Sequence, residues 1–324
     1  MHARRLGNTD LQLSVLGLGT WAIGGAGWKM GWGAQDDAES IATIQRALDL
    51  GINWIDTAPA YGQGHSEEVV GRAIRGRRDE VIVATKCGLV WEPGQYDVTE
   101  RLTADSVRRE IDDSLRRLQV EVIDLYQIHW PDPDPQIEEA WTVIAEAIRA
   151  GKIRYGGVSN FDVAQMLRAQ AIHPIASLQP NFSMIAQKPI TDGLLEFCAR
   201  ERIGVVAYSP LAVGLLTEKM SREWAESLPE DDWRSRNRRF REDLSANLKL
   251  VDGLRALAHA AGRTVPQLAI AWVLHHPETT SAIVGARRPA QIEELVAGAD
   301  FELSADMLGE IDALLAERSR ALAG

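Results

Sequence analysis

An aspartate, a phenol, an amine and an imidazole recur at one kind of place in this chain. Asp56-Thr57-Ala58-Pro59-Ala60-Tyr61-Gly62 follows the short apolar run Gly51-Ile52-Asn53-Trp54-Ile55, so Asp56 and Tyr61 are presented together where a buried strand ends. Two further runs finish the same way, residues 81–85 in Lys86 and residues 123–128 in His129. Strand ends of this kind are where a parallel α/β protein gathers its chemistry. Four titratable groups brought into one pocket are the equipment of acid–base catalysis. Singly, each has a plainer reading: Asp56 could cap a loop, Tyr61 could be a half-buried aromatic, Lys86 could snorkel from a strand, and His129 before Trp130-Pro131 could anchor a turn.

The elements that must position them follow from periodicity. An opening hairpin, 4–6 and 11–13 with Gly7-Asn8 turning, precedes eight apolar runs at 15–19, 52–56, 81–85, 122–128, 154–158, 176–179, 204–208 and 282–284. Between them lie patterns of period 3.6, such as Ile41, Ile44, Leu48 and Val107, Ile111, Leu115, Leu118. Helix starts are marked by Asp36 with Glu39, by Asp134 before Pro135, and by Ser304 before Ala305. Parallel neighbours need crossovers, and helices cover both faces of the sheet they connect. Eight such units in one chain predict a single α/β domain over residues 1–324, a (β/α)8 TIM barrel with an N-terminal β-hairpin. Residues 213–243 break the rhythm and predict a long loop after strand 7 on the catalytic face.

Composition narrows the partners. The chain has 324 residues, 45% of them apolar, and a net charge of −11. An acidic surface repels phosphate backbones, which argues against nucleic acid. The one basic stretch, Arg234-Ser235-Arg236-Asn237-Arg238-Arg239-Phe240-Arg241, is followed at once by Glu242 and Asp243 and reads as a solvated insertion. No apolar run approaches the ~20 residues of a membrane span, and Met1-His2-Ala3-Arg4-Arg5 leads into no signal-peptide core, so no membrane partner and a cytoplasmic location are expected. Cys87 and Cys198, far apart, suggest neither a disulfide framework nor a metal site, and Cys87 reads as a small buried residue rather than a reactive thiol. His275-His276 before Pro277 reads as the end of a helix rather than a metal site.

Gly17-Leu18-Gly19-Thr20-Trp21-Ala22 imitates the G-x-G-x-x-A dinucleotide fingerprint, with Glu39 about 20 residues on. In that motif the glycines open a helix whose N-terminus holds the pyrophosphate. Here Gly24-Gly25-Ala26-Gly27 and Gly31-Trp32-Gly33 intervene before the first cap at Asp36, so the pattern is rejected.

Asp56, Tyr61, Lys86 and His129 in this order, with Gly157-Val158-Ser159-Asn160, Tyr208-Ser209-Pro210-Leu211 and Gly285-Ala286-Arg287-Arg288-Pro289, closely resemble the aldo-keto reductase superfamily over nearly the whole chain. Leu16-Gly17-Leu18-Gly19-Thr20-Trp21 is similar to its bacterial branch of inositol-operon and general-stress reductases. The resemblance implies an NADPH-dependent oxidoreductase that interconverts an aldehyde or ketone and an alcohol by direct hydride transfer. NAD is possible and less favoured. Tyr61 would be the general acid and base. Carbonyl reduction brings hydride to carbon and a proton to the developing alkoxide, so an acid is needed that can be reprotonated. Lys86 is expected to lower the pKa of Tyr61, and Asp56 to hold the ammonium in place. His129 would add a second hydrogen bond to the carbonyl oxygen, worth ~3 kcal/mol of barrier if well aimed.

The same resemblance implies the cofactor contacts. Ser159, Asn160 and Gln179 would hold the nicotinamide carboxamide, Tyr208 would stack on its ring, and Ser209 and Leu211 would touch the pyrophosphate. Gly285 through Glu294 would surround the adenosine, with Gln291 and Glu294 among its contacts. Arg287 and Arg288 would meet a 2′-phosphate, though an exposed arginine pair more commonly points into solvent. Leu295 stands where the family often has asparagine, which leaves one adenine contact open. Trp21, Trp28, Trp32, Trp91 and Trp130, with Trp233 as a further candidate, are expected to wall a substrate pocket suited to flat, sugar or steroid-like carbonyl compounds; Trp54 and Trp272 are expected in the core. An oxidative sugar or polyol dehydrogenase is the nearest alternative. The other is a cofactor-binding regulatory subunit resembling potassium-channel β subunits; those often carry an N-terminal extension, whereas this chain enters its hairpin by residue 4. Oligomeric state is left open.

Overall fold

The computed structural model describes residues 1–92, 94–230 and 232–323, so Asp231 of the 213–243 segment lies outside the described residues. Eight parallel strands close into one barrel: β1 Leu16–Gly19, β2 Trp54–Asp56, β3 Ile82–Cys87, β4 Ile123–Ile128, β5 Ile153–Ser159, β6 Ser177–Gln179, β7 Gly204–Tyr208 and β8 Thr279–Gly285. Each of the eight expected runs is one of these strands. Short apolar runs are what strands buried on both faces require.

Alternation along each strand decides what enters the barrel. On β3, Ala84 and Lys86 face inward while Thr85 faces the helices, its hydroxyl 2.7 Å from Glu67 of the His65–Ala73 helix. The interior is filled at its lower end by Trp54, Ala84, Leu125, Val206 and Ile283. The Trp54 ring occupies the place of a side chain on β1: a Cβ at Gly17 would stand 2.1 Å from it. Glycine in the false fingerprint therefore serves packing. The N-terminal hairpin, Ala3–Arg5 with Gln12–Ser14, closes this end by inserting Leu6, Leu11 and Leu13 beneath the same cluster.

The helix starts follow their caps with one exception. Asp36 Oδ1 accepts the Glu39 amide at 2.8 Å, and Ser304 Oγ accepts the Met307 amide at 3.2 Å. Asp134 does not cap: it opens a single 3-10 turn, Asp134–Gln136, and the α-helix begins at Ile137. Its carboxylate is taken instead by Arg168 at 2.8 Å, and a partner from the neighbouring helix outweighs a local amide. After β1 the chain makes only the 3-10 turn Trp21–Gly24, and the first α-helix starts at Asp37, which bears out rejection of the dinucleotide motif. Among its described residues the 213–243 segment carries only short helices, including the five-residue α-helix Arg222–Glu226 and the 3-10 turn Trp233–Arg236, before the long Leu244–Ala260 helix. No helix among the described residues is long and apolar enough to cross a membrane.

Candidate active site

All eight strands deliver their C-terminal ends to one mouth, where the register sets Gly19 beside Asp56, Gln179 beside Ser159, and Gly285 beside Gly19. There a cavity of about 1080 Å³ opens, with Asp56, Tyr61 and His129 in its wall. Lys86, completely buried, lies beneath. Its Nζ is 2.6 Å from Asp56 Oδ1, 2.9 Å from the Thr57 carbonyl and 3.1 Å from Tyr61 Oη. The four expected groups are thus together, with the His129 ring edge-on to Tyr61 at 5.8 Å between centroids.

The geometry also shows what steadies them. Asp56 Oδ2 accepts from Gln179 Nε2 at 2.8 Å and from Gln127 Nε2 at 3.3 Å, so both oxygens of this buried carboxylate are engaged. Gln127 was not anticipated; its inward position two residues before His129 on β4 is the signal that could have found it. Tyr61 reaches the site because the loop after β2 packs on the loop after β1: Gly62 has φ +64°, and a Cβ there would stand 2.1 Å from the Gly24 carbonyl oxygen.

The electrostatics amend one expectation. Burial, and then the Asp56 charge, push the Tyr61 phenol well above its ordinary value. The neighbouring ammonium of Lys86, already engaged by Asp56, does not reverse that shift, because desolvation of the anion outweighs it. Lys86 is itself held below the usual lysine range by burial, against the opposing pull of Asp56. Burial, followed by the Lys86 charge, holds His129 well below the usual imidazole range, so it is neutral near pH 7 and presents one N–H and one lone pair.

Every residue expected to touch a cofactor lines this cavity: Ser159, Asn160, Gln179, Tyr208, Ser209 and Leu211 on one side, Gly285, Arg287, Arg288, Gln291 and Glu294 on the other. Several are prearranged. Tyr208 Oη donates to Asn160 Oδ1 at 2.9 Å, Asn160 Nδ2 donates to the His129 carbonyl at 3.1 Å, and Ser159 Oγ donates to the Gln179 carbonyl at 2.9 Å. Arg287 reaches back to the loop after β1, donating to Gln35 Oε1 at 2.6 Å and to the Trp32 and Ala34 carbonyls. Arg288 is exposed. The cavity exceeds the ~300–1,000 Å³ of ordinary ligand pockets. Amide donors and acceptors at one end and two guanidinium groups at the other fit a nicotinamide dinucleotide.

Trp21, Trp28, Trp32, Trp130 and Trp233 line the cavity as expected, and Trp224 joins them. Trp91 does not: its ring lies over the Arg117 guanidinium at 5.9 Å, on the helix side. The residue before Trp91 is tied into a small two-stranded sheet, Leu89–Val90 with Thr99–Glu100, which turns the chain away from the mouth. The basic stretch is also not a simple solvated insertion. Arg238 is answered by Asp243 at 2.9 Å, but Arg234 and Arg239 turn into the cavity. Arg234 lies 4.2 Å from the Trp32 ring and 2.6 Å from Asp232, which joins the loops after β1 and β7 across the mouth. Cys87 and Cys198 are buried and unpaired, and no His/Cys/Asp/Glu cluster among the described residues could hold a metal.

The sequence model of the Aldo/keto reductase family matches residues 15–316. The chain is 40% identical over 321 residues to the aldo-keto reductase YhdN of Bacillus subtilis (strain 168), an alignment spanning 97% of this chain and 94% of that protein. It is 36% identical over 315 residues to the NADH-specific methylglyoxal reductase of Escherichia coli (strain K12), spanning 92% and 94%. Among solved structures, the glycerol dehydrogenase AKR11B4 from Gluconobacter oxydans aligns with a TM-score of 0.88 at 39% identity, over 98% of this chain and 95% of that one.

Proposed function

The chain belongs to the aldo/keto reductase family, and from that premise we propose a one-domain, cytoplasmic oxidoreductase that interconverts a carbonyl and an alcohol, with NADPH as cofactor and Tyr61 as general acid and base. The observation that carries the proposal is the contact of one buried ammonium with Asp56, Thr57 and Tyr61 at the floor of a cavity large enough for a dinucleotide and a substrate.

A bound NADPH supplies hydride to the carbonyl carbon. The protein's part is to bind, orient and protonate. Tyr61, held as the neutral phenol by burial, donates its proton to the developing alkoxide. Lys86, 3.1 Å away, stabilises the phenolate that this leaves, so its charge acts where charge develops. Asp56 keeps the ammonium aimed, with Gln127 and Gln179 fixing the carboxylate. Neutral His129 orients the carbonyl oxygen. Ser159, Asn160 and Gln179 hold the carboxamide, and Tyr208 covers one face of the ring. The reverse reaction uses the same groups, and similarity to a glycerol dehydrogenase favours polyols among the oxidative substrates. Turnover of a panel of aldehydes, ketones, sugars and polyols with both cofactors tests the reading; no turnover in either direction would refute it.

Cofactor choice gives a separate expected outcome. Arg287 and Arg288 form no ion pair among the described residues, and a 2′-phosphate would supply the missing anion. Because Arg287 also tethers the loop bearing Trp32, Arg288→Ala is the cleaner variant. It should weaken NADPH binding by ~10-fold and NADH binding by less than twofold; adding Arg287→Ala should extend the NADPH loss toward ~100-fold. Quenching of the cavity tryptophans reads both dissociation constants. Equal losses for the two cofactors would remove the arginines from this role.

A further inference from the structure

The loop after β7 brings into the cavity one guanidinium that forms no ion pair among the described residues, with Asp243 near enough only to act on it at a distance. Arg234 is committed to Asp232, and Arg238 to Asp243. Arg239 lines the cavity half-buried, and its side chain has neither a carboxylate nor a hydrogen-bond acceptor among the described residues. Its backbone, by contrast, is fixed at both ends: the amide donates to Asn237 Oδ1 at 3.0 Å, and the carbonyl accepts from Asn247 Nδ2 at 2.8 Å. Of the five carboxylates that share the cavity wall, Asp56 is taken by Lys86, Asp97 by Lys29 and Glu218 by Arg255, and neither Glu100 nor Glu294 forms an ion pair with Arg239.

A guanidinium cannot relieve its burial by losing a proton, so it remains a charge that burial penalises. A geometry that pins the backbone and leaves such a side chain unpaired is what an anion from outside would complete. The position also selects among anions. The Arg239 charge acts on the Tyr208 hydroxyl, as does Tyr61, whereas Arg234 acts on Arg287 at the opposite end of the cavity. Arg239 therefore belongs to the end where the carbonyl reacts.

We propose that Arg239 binds an oxyanion, a carboxylate or a phosphate, carried by the carbonyl substrate, and so makes acid-bearing aldehydes or ketones the preferred class. The inference rests on the reading of Tyr208 as the nicotinamide platform. In a chain of net charge −11, a cation at this end of the cavity offsets the repulsion an anionic substrate would meet.

The test compares kcat/KM for 4-carboxybenzaldehyde against 4-methylbenzaldehyde, and for glyceraldehyde 3-phosphate against glyceraldehyde, in the parent, Arg239→Met and Arg239→Lys. NADPH dissociation constants are measured in parallel. The parent should favour the acid-bearing member of at least one pair. Arg239→Met should reduce that preference by ~30-fold, chiefly through KM, and Arg239→Lys should recover part of it. A parent without preference in either pair, or a preference unchanged in Arg239→Met, overturns the proposal. So does a loss of NADPH affinity of ~10-fold or more in Arg239→Met, which would assign the guanidinium to the cofactor's pyrophosphate. If the parent turns over none of the four aldehydes, the carbonyl-reductase reading falls and the inference with it.

Discussion

Tyr61→Phe should lower reductive turnover by ~100-fold or more, about 2.7 kcal/mol of barrier, while leaving the NADPH dissociation constant within threefold. The substitution removes one oxygen and keeps the ring, which packs on Trp21 at 5.5 Å and Trp28 at 6.3 Å between centroids, so the pocket wall is preserved. What is lost is the proton donor. His129 cannot replace it, because burial and the Lys86 charge hold the imidazole neutral far below the pH of assay. Lys86 has no route of its own to the substrate, being sealed beneath Tyr61 and Asp56. Turnover within a factor of two of the parent would take Tyr61 out of the mechanism.

Lys86→Met should be at least as damaging, with reductive turnover lowered ~100- to 1,000-fold across the neutral range. The phenolate left by proton donation then faces Asp56 with no cation between them, and the Asp56 charge already raises the Tyr61 phenol. Asp56→Asn should cost only ~10-fold, since the ammonium keeps the Thr57 carbonyl at 2.9 Å and Tyr61 at 3.1 Å. Removing one member of a buried ion pair also destabilises the fold by ~3–5 kcal/mol. The double variant Lys86→Met with Asp56→Asn should regain much of that melting temperature without regaining turnover, which separates chemistry from stability. The pH profile carries a sign as well. With Lys86 held below the usual lysine range, reduction in the parent should fall as pH rises through its titration, and this alkaline limb should be absent in Lys86→Met. An Asp56→Asn enzyme slower than Lys86→Met would reverse the assigned roles.

Much of this architecture is legible in the chain because a barrel strand buried on both faces has few ways to be written. The runs ending at Asp56, Lys86 and His129 place these residues at one mouth, since parallel strands of a barrel share a C-terminal end. What was not legible lies in the loops. Trp91 follows a strand end just as Trp28 does, yet a two-residue strand pairing sends it toward Arg117. Arg234 and Arg239 sit in a run that reads as solvated, and only the Asp232, Trp32 and Asn247 contacts turn them inward. The inward register of Gln127, two residues before His129, is legible, but the carboxylate it meets comes from another strand and is not. The rise of the Tyr61 pKa depends on a burial that spacing alone cannot disclose.

The central claim is that this pocket carries out direct hydride transfer to a carbonyl whose oxygen is protonated by Tyr61. It is tested most directly by reducing an aldehyde with NADPH deuterated stereospecifically at C4, in each of the two configurations, and locating deuterium in the product alcohol. If Tyr208 covers one face of the ring as proposed, one configuration should deliver a single deuterium to the carbinol carbon and the other none. Transfer from both configurations, or carbinol hydrogen drawn from solvent, would contradict the account.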